Sequence, residues 1–440
     1  MSALAASVRR MSSAAAQSKE RFVLPLGASV LPRGYAVTGL HCGVKKNVGV
    51  PDLAVLRSTT TRTASAGVFT RNAFRAAPVL VSEEVLRATH GRAAALVVNS
   101  GCANAVTGAR GLEHAWAMAR ALGTQPDALV MSTGVIGQHL PIDRVVAGIH
   151  RSAHTLGSDA DAWMRAGRGF MTTDTFPKVR AASFDLPGVG TVRMAGITKG
   201  AGMIHPDMVG IPHATLLGVI ATDAPVSPEA LSSALQYATD RSFNAISVDG
   251  DTSTNDALVA FANGAAVAED AKEITEADGA AFTALRDALT GFAAELAQLV
   301  VRDGEGATKF VTVTVNGASS FADAQAVART VSTSALVKTA LFGEDANWGR
   351  VLAAVGRTAL SSPVDPSKVS VAFVPRDGTP DLKLLVDGEP ENVDEERAKR
   401  ILQEEDLEVK IELGMGKEST KYWTCDFSHE YVTINGSYRS

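Results

Sequence analysis

Residues 199–220 read KGAGMIHPDMVGIPHATLLGVI. A loop containing glycine and proline runs into an apolar, β-branched stretch, and this predicts a turn that delivers a strand beginning at Thr215. Thr215 follows a small residue, Ala214, at the junction. A threonine suits the start of a strand. It also suits a latent nucleophile, and that choice depends on the rest of the chain.

Outward from this segment, helical and strand patterns alternate. Residues 215–224 predict a strand and 227–242 a helix with a serine cap. Upstream, the run from Gly27 to about Val98, including AGVFTRN and APVLV, reads as strands and turns, and from SEEVLRATHG onward as a short helix, a buried strand over Ala94–Val98 and a small-residue loop. GLEHAWAMARALG and PIDRVVAGIHRSAHTLG read as helices, ALVMSTGVIG as a strand, and GSDADAWMRAGRGFMTTDT as a helix followed by a strand. Phe282, Leu285, Leu289, Phe292, Leu296 and Leu299 form one apolar stripe, so a long helix is expected from about Thr275 to Val301. FVTVTVNGA, KVSVAFV, LKLLVDG, residues 407–413 and EYVTING read as strands, and DEERAKRILQEE as a helix. Such mixing predicts α/β or α+β in packed layers.

The chain has 440 residues, 46% hydrophobic and 20% charged, with a net charge of −5. That length predicts two or three domains or sub-domains, and the composition is that of a globular protein. No basic block argues for nucleic acid. No apolar run approaches the roughly 18 residues of a membrane span. Cys42, Cys102 and Cys425 lie far apart, with no CxxC pair. That spacing fits a reducing compartment. Residues 1–22 differ in kind: they carry Arg9, Arg10, Lys19 and Arg21 and five serines, with no acid before Glu20. Leu4, Val8 and Met11 make one apolar stripe if the segment is helical. Basic, serine-rich and amphipathic, it reads as a mitochondrial transit peptide against the simpler reading of an unstructured start.

Two familiar signatures fail. LGMGKEST has Glu418 where a P-loop needs Ser or Thr. His150 and His154 stand four apart without the HExxH glutamate, and a solvated helix face explains them better than a metal. Three glycine-containing loops remain: NSGCANAVTG (99–108), STGVIGQ (132–138) and TKGAGM (198–203). Glycines there let a backbone approach a ligand and present N–H groups to an anion, or simply make tight turns. VDGDTSTNDA (248–257) reads equally as a hydrogen-bonded turn or a site. No Ser-His-Asp order lies near Thr215. A threonine can still be activated by becoming the first residue of a chain, its own α-amine serving as base. That requires cutting Ala214–Thr215, with an oxyanion hole to hold the intermediate.

Taken together, GVFTRNAFRAAPV, NSGCANAVTG, STGVIG, MTTDTFPK, GITKGAGMI, ATLLG, SVDGDTSTND, GEGATKF, VKTALFGEDANWGR and SHEYVTINGSYRS resemble the ornithine acetyltransferase family. The bifunctional members of that family are also N-acetylglutamate synthases of arginine biosynthesis. The likeness runs from about Gly27 to the last residue. It implies a layered α/β sandwich of N-terminal-nucleophile type and self-cleavage before Thr215. The parts would be a leader (1–22), an α chain (23–214) and a β chain (215–440), assembled as an α₂β₂ heterotetramer in the mitochondrial matrix. It implies Thr215 as the nucleophile and Thr133 with Gly134 as the oxyanion-hole pair. The substrate-binding positions would be Thr173 (Thr172 and Thr175 being close), Lys199, Thr215, Glu305, Asn435 and Ser440. N-acetylornithine, glutamate and ornithine would be the small-molecule partners, with acetyl-CoA as a further co-substrate and no metal or cofactor. One departure stands out: Val209–His213 are five residues that the family pattern lacks just before the scissile bond. Two other readings follow from the same motifs, a related aminopeptidase or amidase that passes the acyl group to water, and an uncleaved, inactive member.

Overall fold

The computed structural model describes residues 18–209 and 216–436. Ala214, Thr215, Ser440 and all but the end of the expected leader lie outside the described residues.

The segment after Thr215 forms the strand Leu217–Thr222 inside a six-stranded sheet. The order is Lys178–Leu186, Gly190–Lys199, Leu217–Thr222, Ala257–Ala262, Ala64–Thr70, Met208–Val209. Leu217 stands opposite Ala257 in a parallel pair and opposite Lys199 in an antiparallel pair. Both faces of the strand are buried: Leu217, Val219 and Ala221 enter one core, and Ile220 and neighbouring Leu216 the other. Side chains alternate across a strand, so a strand covered on both faces is apolar at nearly every position. Each Leu, Ile or Val so buried contributes roughly 1.5–3 kcal/mol.

The first core lies against a four-stranded sheet ordered Tyr35–Leu40, Leu53–Ser58, Ala95–Cys102, Leu129–Val135. The helix Ala160–Phe170 packs on both sheets. On the other face, Pro228–Asp240 and Gly279–Arg302 cover the six-stranded sheet, and the second helix reaches Glu418–Cys425 of a seven-stranded sheet. The expected layered α/β architecture is present.

Three expectations are corrected. APVLV is the first turn and a half of the helix Ala77–Ala88, not a strand. Pro78 sits in the first turn, where its missing N–H costs nothing, and Val81 and Val85 fall on one buried face. EYVTING belongs to the helix His429–Gly436. There the Ser428 hydroxyl accepts the Tyr431 N–H at 3.3 Å, a local cap that outweighs the β-propensity of Val432, Thr433 and Ile434. MTTDT is a loop, and the next strand starts only at Lys178, because Asp174 draws in the Thr172 N–H at 2.9 Å.

Lys19–Phe22, within the expected leader, form a 3₁₀ turn docked on the body. The Phe22 ring lies 5.9 Å from Phe176, and Arg180 donates to the Phe22 carbonyl at 3.0 Å.

Candidate active site

Thr133 and Gly134 end the strand Leu129–Val135, paired in parallel with Ser100 and Gly101. Gly134 has φ +128°, and a Cβ there would stand 2.3 Å from the Gly101 carbonyl carbon. No side chain fits, so the close approach of these two loops requires glycine at 134.

Lys199 ends the strand Gly190–Lys199 and is buried. Its ammonium donates to the Thr133 hydroxyl at 3.3 Å. Burial holds its pKa below the ordinary lysine range, opposed chiefly by the Asp174 carboxylate. Asp174 itself accepts from Lys178 Nζ (2.6 Å), the Gly200 N–H (2.7 Å) and the Thr172 N–H. Lys178 also donates to Asp303 at 2.6 Å, and Asp303 takes both the N–H and the hydroxyl of Thr175. This buried network fixes the loop between helix and strand. It also turns Thr175 away from the cavity, while Thr172 and Thr173 face it.

Glu305 follows the long helix, its N–H held by the Ala201 carbonyl at 2.8 Å. Its carboxylate accepts from Asn435 Nδ2 at 2.9 Å. A Cβ on Gly202 would lie 2.3 Å from Glu305 Oε2, so the GAG turn must be glycine for the carboxylate to sit there. The terminal helix is pinned to the same loop, with the Ser428 hydroxyl donating to the Gly306 carbonyl at 2.6 Å.

Thr133, Gly134, Thr173, Lys199, Glu305 and Asn435 therefore line one cavity of about 260 Å³, although they span three hundred residues of sequence. A cation beside a hydroxyl at one side and a carboxylate with an amide at another suit a small zwitterion. The cavity also includes Ser253 and Asn255 of the DGDTSTND run, which the sequence left as a turn or a site. Asn255 Nδ2 donates to the Ala103 and Ser132 carbonyls at 2.6 and 2.8 Å, tying NSGCAN to STGV. Polarity within an apolar context was the signal available for these two. Among the described residues no three His, Cys, Asp or Glu side chains gather as a metal-binding group, and no helix is long and apolar enough to cross a membrane.

A model of the ArgJ family matches residues 36–440. The chain is 61% identical over 435 residues to the mitochondrial arginine biosynthesis bifunctional protein ArgJ of Postia placenta, covering 94% of each chain. It is 57% identical over 450 residues to the protein of that name from Laccaria bicolor, covering 96% of each. Among solved structures, the ornithine acetyltransferase of Mycobacterium tuberculosis complexed with ornithine is 35% identical, covering 42% of this chain and 98% of that one, with a TM-score of 0.38. A family model that spans nine-tenths of the sequence, and relatives this similar over nearly their whole length, assign the chain plainly: it belongs to the ArgJ family.

Proposed function

We propose that the protein transfers the acetyl group of N2-acetyl-L-ornithine to L-glutamate, in the mitochondrial arginine biosynthesis for which its relatives are named. The observation that carries this reading is the convergence of Thr133, Gly134, Thr173, Lys199, Glu305 and Asn435 on one small cavity. Thr215 lies two residues before Leu217, which pairs directly with Lys199 at the cavity wall.

In this scheme the chain cuts its own Ala214–Thr215 bond, freeing the α-amine of Thr215 as a base. The Thr215 hydroxyl attacks the acetyl carbonyl of acetylornithine and gives its proton to that amine. The oxyanion is held by the Thr133 hydroxyl and the Gly134 N–H. The C–N bond breaks, ornithine leaves with the proton, and acetyl-Thr215 remains. The glutamate α-amine then attacks the ester; N-acetylglutamate departs and the Thr215 hydroxyl is restored. Lys199 meets the substrate carboxylate and Glu305, with Asn435, the ammonium, with Thr173 and Ser440 completing the pocket. Acetyl-CoA serves as a second acetyl donor, and no metal or cofactor takes part. The two chains stay together as an α₂β₂ assembly. The leader is residues 1–22, whose last turn, Lys19–Phe22, packs on Phe176 in the uncut chain.

Denaturing mass spectrometry of protein expressed without residues 1–17, paired with an acetyl-transfer assay, tests this. Two fragments, one beginning at Thr215, with transfer to glutamate exceeding release to water, are expected. A single uncut chain without transfer would overturn the scheme and leave Val209–His213 as the obstacle. Acetate release without N-acetylglutamate would mark a hydrolase.

A further inference from the structure

Met203 closes the turn Ala201–Gly202–Met203 and lines the cavity. Its backbone is left-handed, with φ +55°, a conformation that disfavours any residue with a Cβ and persists only where the surroundings hold it. Asp249, of the VDGDTSTNDA run, does the holding. Its Oδ2 accepts the Met203 N–H at 2.6 Å, and its Oδ1 accepts the N–H groups of Ile204 at 2.8 Å and Asp251 at 3.2 Å. The Val248 N–H donates to the Ile204 carbonyl at 2.7 Å, so the end of the turn is gripped through both its N–H groups and its carbonyl.

Asp249 also reaches the terminal helix, where Tyr431 donates its hydroxyl to Oδ2 at 3.3 Å. The Tyr431 carbonyl accepts Asn435 Nδ2, which also donates to Glu305, and the Glu305 N–H returns to the Ala201 carbonyl. The bonds close a ring: turn, Asp249, Tyr431, Asn435, Glu305 and back to the turn. The helix sits tightly on this ring, since a Cβ on Gly306 would stand 2.6 Å from the Tyr431 nitrogen. Met203, Glu305 and Asn435 meet the cavity, and Asp249 and Tyr431 join them to one another.

We propose that Asp249 is a positioning residue for the transfer reaction: by holding the Met203 turn and the terminal helix together, it sets Glu305 and Asn435 where they meet the substrate ammonium. That Glu305 and Asn435 bind the substrate rests on the proposed function; the ring of hydrogen bonds does not. A carboxylate only accepts, so it suits a place where three N–H groups and a hydroxyl converge. Asp249 follows Thr215 in the chain and Met203 precedes it, so this tie also crosses the proposed cut.

The test compares Asp249→Asn and Tyr431→Phe, each alone and combined with Glu305→Gln, in the full protein. Asp249→Asn keeps the size but turns an amide N–H toward a backbone N–H, so part of the grip is lost. KM for acetylornithine is expected to rise roughly tenfold with kcat within about twofold, and Tyr431→Phe should move KM the same way by a smaller factor. Added to Glu305→Gln, Asp249→Asn should change KM little further, because its effect passes through Glu305. An unmoved KM in a folded variant overturns the inference. So does an equal loss in the Glu305→Gln background, because packing alone would act regardless of that charge. Tyr431→Phe removes only a hydroxyl and keeps the KM reading should Asp249→Asn fold poorly. Hydrogen exchange of the peptides carrying Met203–Ile204 and residues 429–436 is read in the same proteins without substrate. Both should lose protection together in Asp249→Asn, and a terminal helix that keeps its protection overturns the coupling. Wild-type protein that transfers no acetyl group, with that paired loss still seen in the variant, fails the proposed function and leaves the coupling standing.

Discussion

The Thr133 hydroxyl meets the cavity, and it accepts the Lys199 ammonium on the way. Thr133→Val keeps the shape and removes the hydroxyl. In steady-state kinetics it should lower kcat by about 10²-fold or more, the usual effect of deleting one oxyanion donor. Thr133→Ser should retain most of the rate, and a loss equal to that of Val would point to packing instead. How legible such residues are depends on their company. Thr133, Gly134, Thr173, Lys199, Glu305 and Asn435, which line one cavity, were named only through the resemblance carried by an ordered set of motifs, since none has a signature of its own. Ser253 and Asn255 were less legible: their run, DGDTSTND, reads equally as a hydrogen-bonded turn or a site, and their place on the cavity wall is a tertiary fact. Setting Thr175 apart from Thr172 and Thr173 likewise required seeing that Asp303, 128 residues away, draws Thr175 off.

At the scale of elements, the terminal helix is the informative one. Its β-branched run predicted a strand, but the Ser428 cap sets a helix whose Asn435 reaches both Glu305 and, at 3.0 Å, the Tyr431 carbonyl one turn back. A strand would alternate its side chains and offer no such one-turn support. Asn435→Ala leaves Glu305 without that donor. It should cost about 1–3 kcal/mol of substrate interaction, a drop of roughly 5- to 150-fold in kcat/KM carried mainly by KM. Kinetics with acetylornithine as the varied substrate check this, and a fall in kcat alone would contradict it. The strands with strong alternation, such as Asp406–Glu412, and the long striped helix were legible because their periodicity is local. APVLV was not, since five apolar residues fit a strand or a buried helical turn equally well.

Across the whole molecule, the Asp174–Lys178–Asp303 network joins the loop after Ala160–Phe170 to the end of the long helix, with all three side chains fully buried. Lys178→Met leaves two buried carboxylates without their shared cation. It should destabilise the protein by about 3–5 kcal/mol in denaturant unfolding at neutral pH. Burial pushes the Asp174 carboxyl up, but Lys178, Lys199 and the Gly200 N–H outweigh it and hold it well below the usual range. A carboxyl depressed in the folded state stabilises fully above its unfolded pKa of about 3.9 and loses that contribution as pH falls toward its folded value. The gap between wild type and variant should therefore be widest above about pH 5 and narrow in acid. A gap that does not change with pH would show that Lys178 acts only through its packing.

The six-stranded sheet alternates its ancestry. Lys178–Leu186 and Gly190–Lys199 precede Thr215 in the chain, Leu217–Thr222 and Ala257–Ala262 follow it, and Ala64–Thr70 and Met208–Val209 precede it again. The pair from the second half is thus clasped between strands of the first, hydrogen-bonded on either side. Neither half owns a finished sheet, and each by itself would present open strand edges to other chains. The proposed cut before Thr215 would fall between strands of one sheet, and the two parts would stay hydrogen-bonded to each other along both sides of the clasped pair.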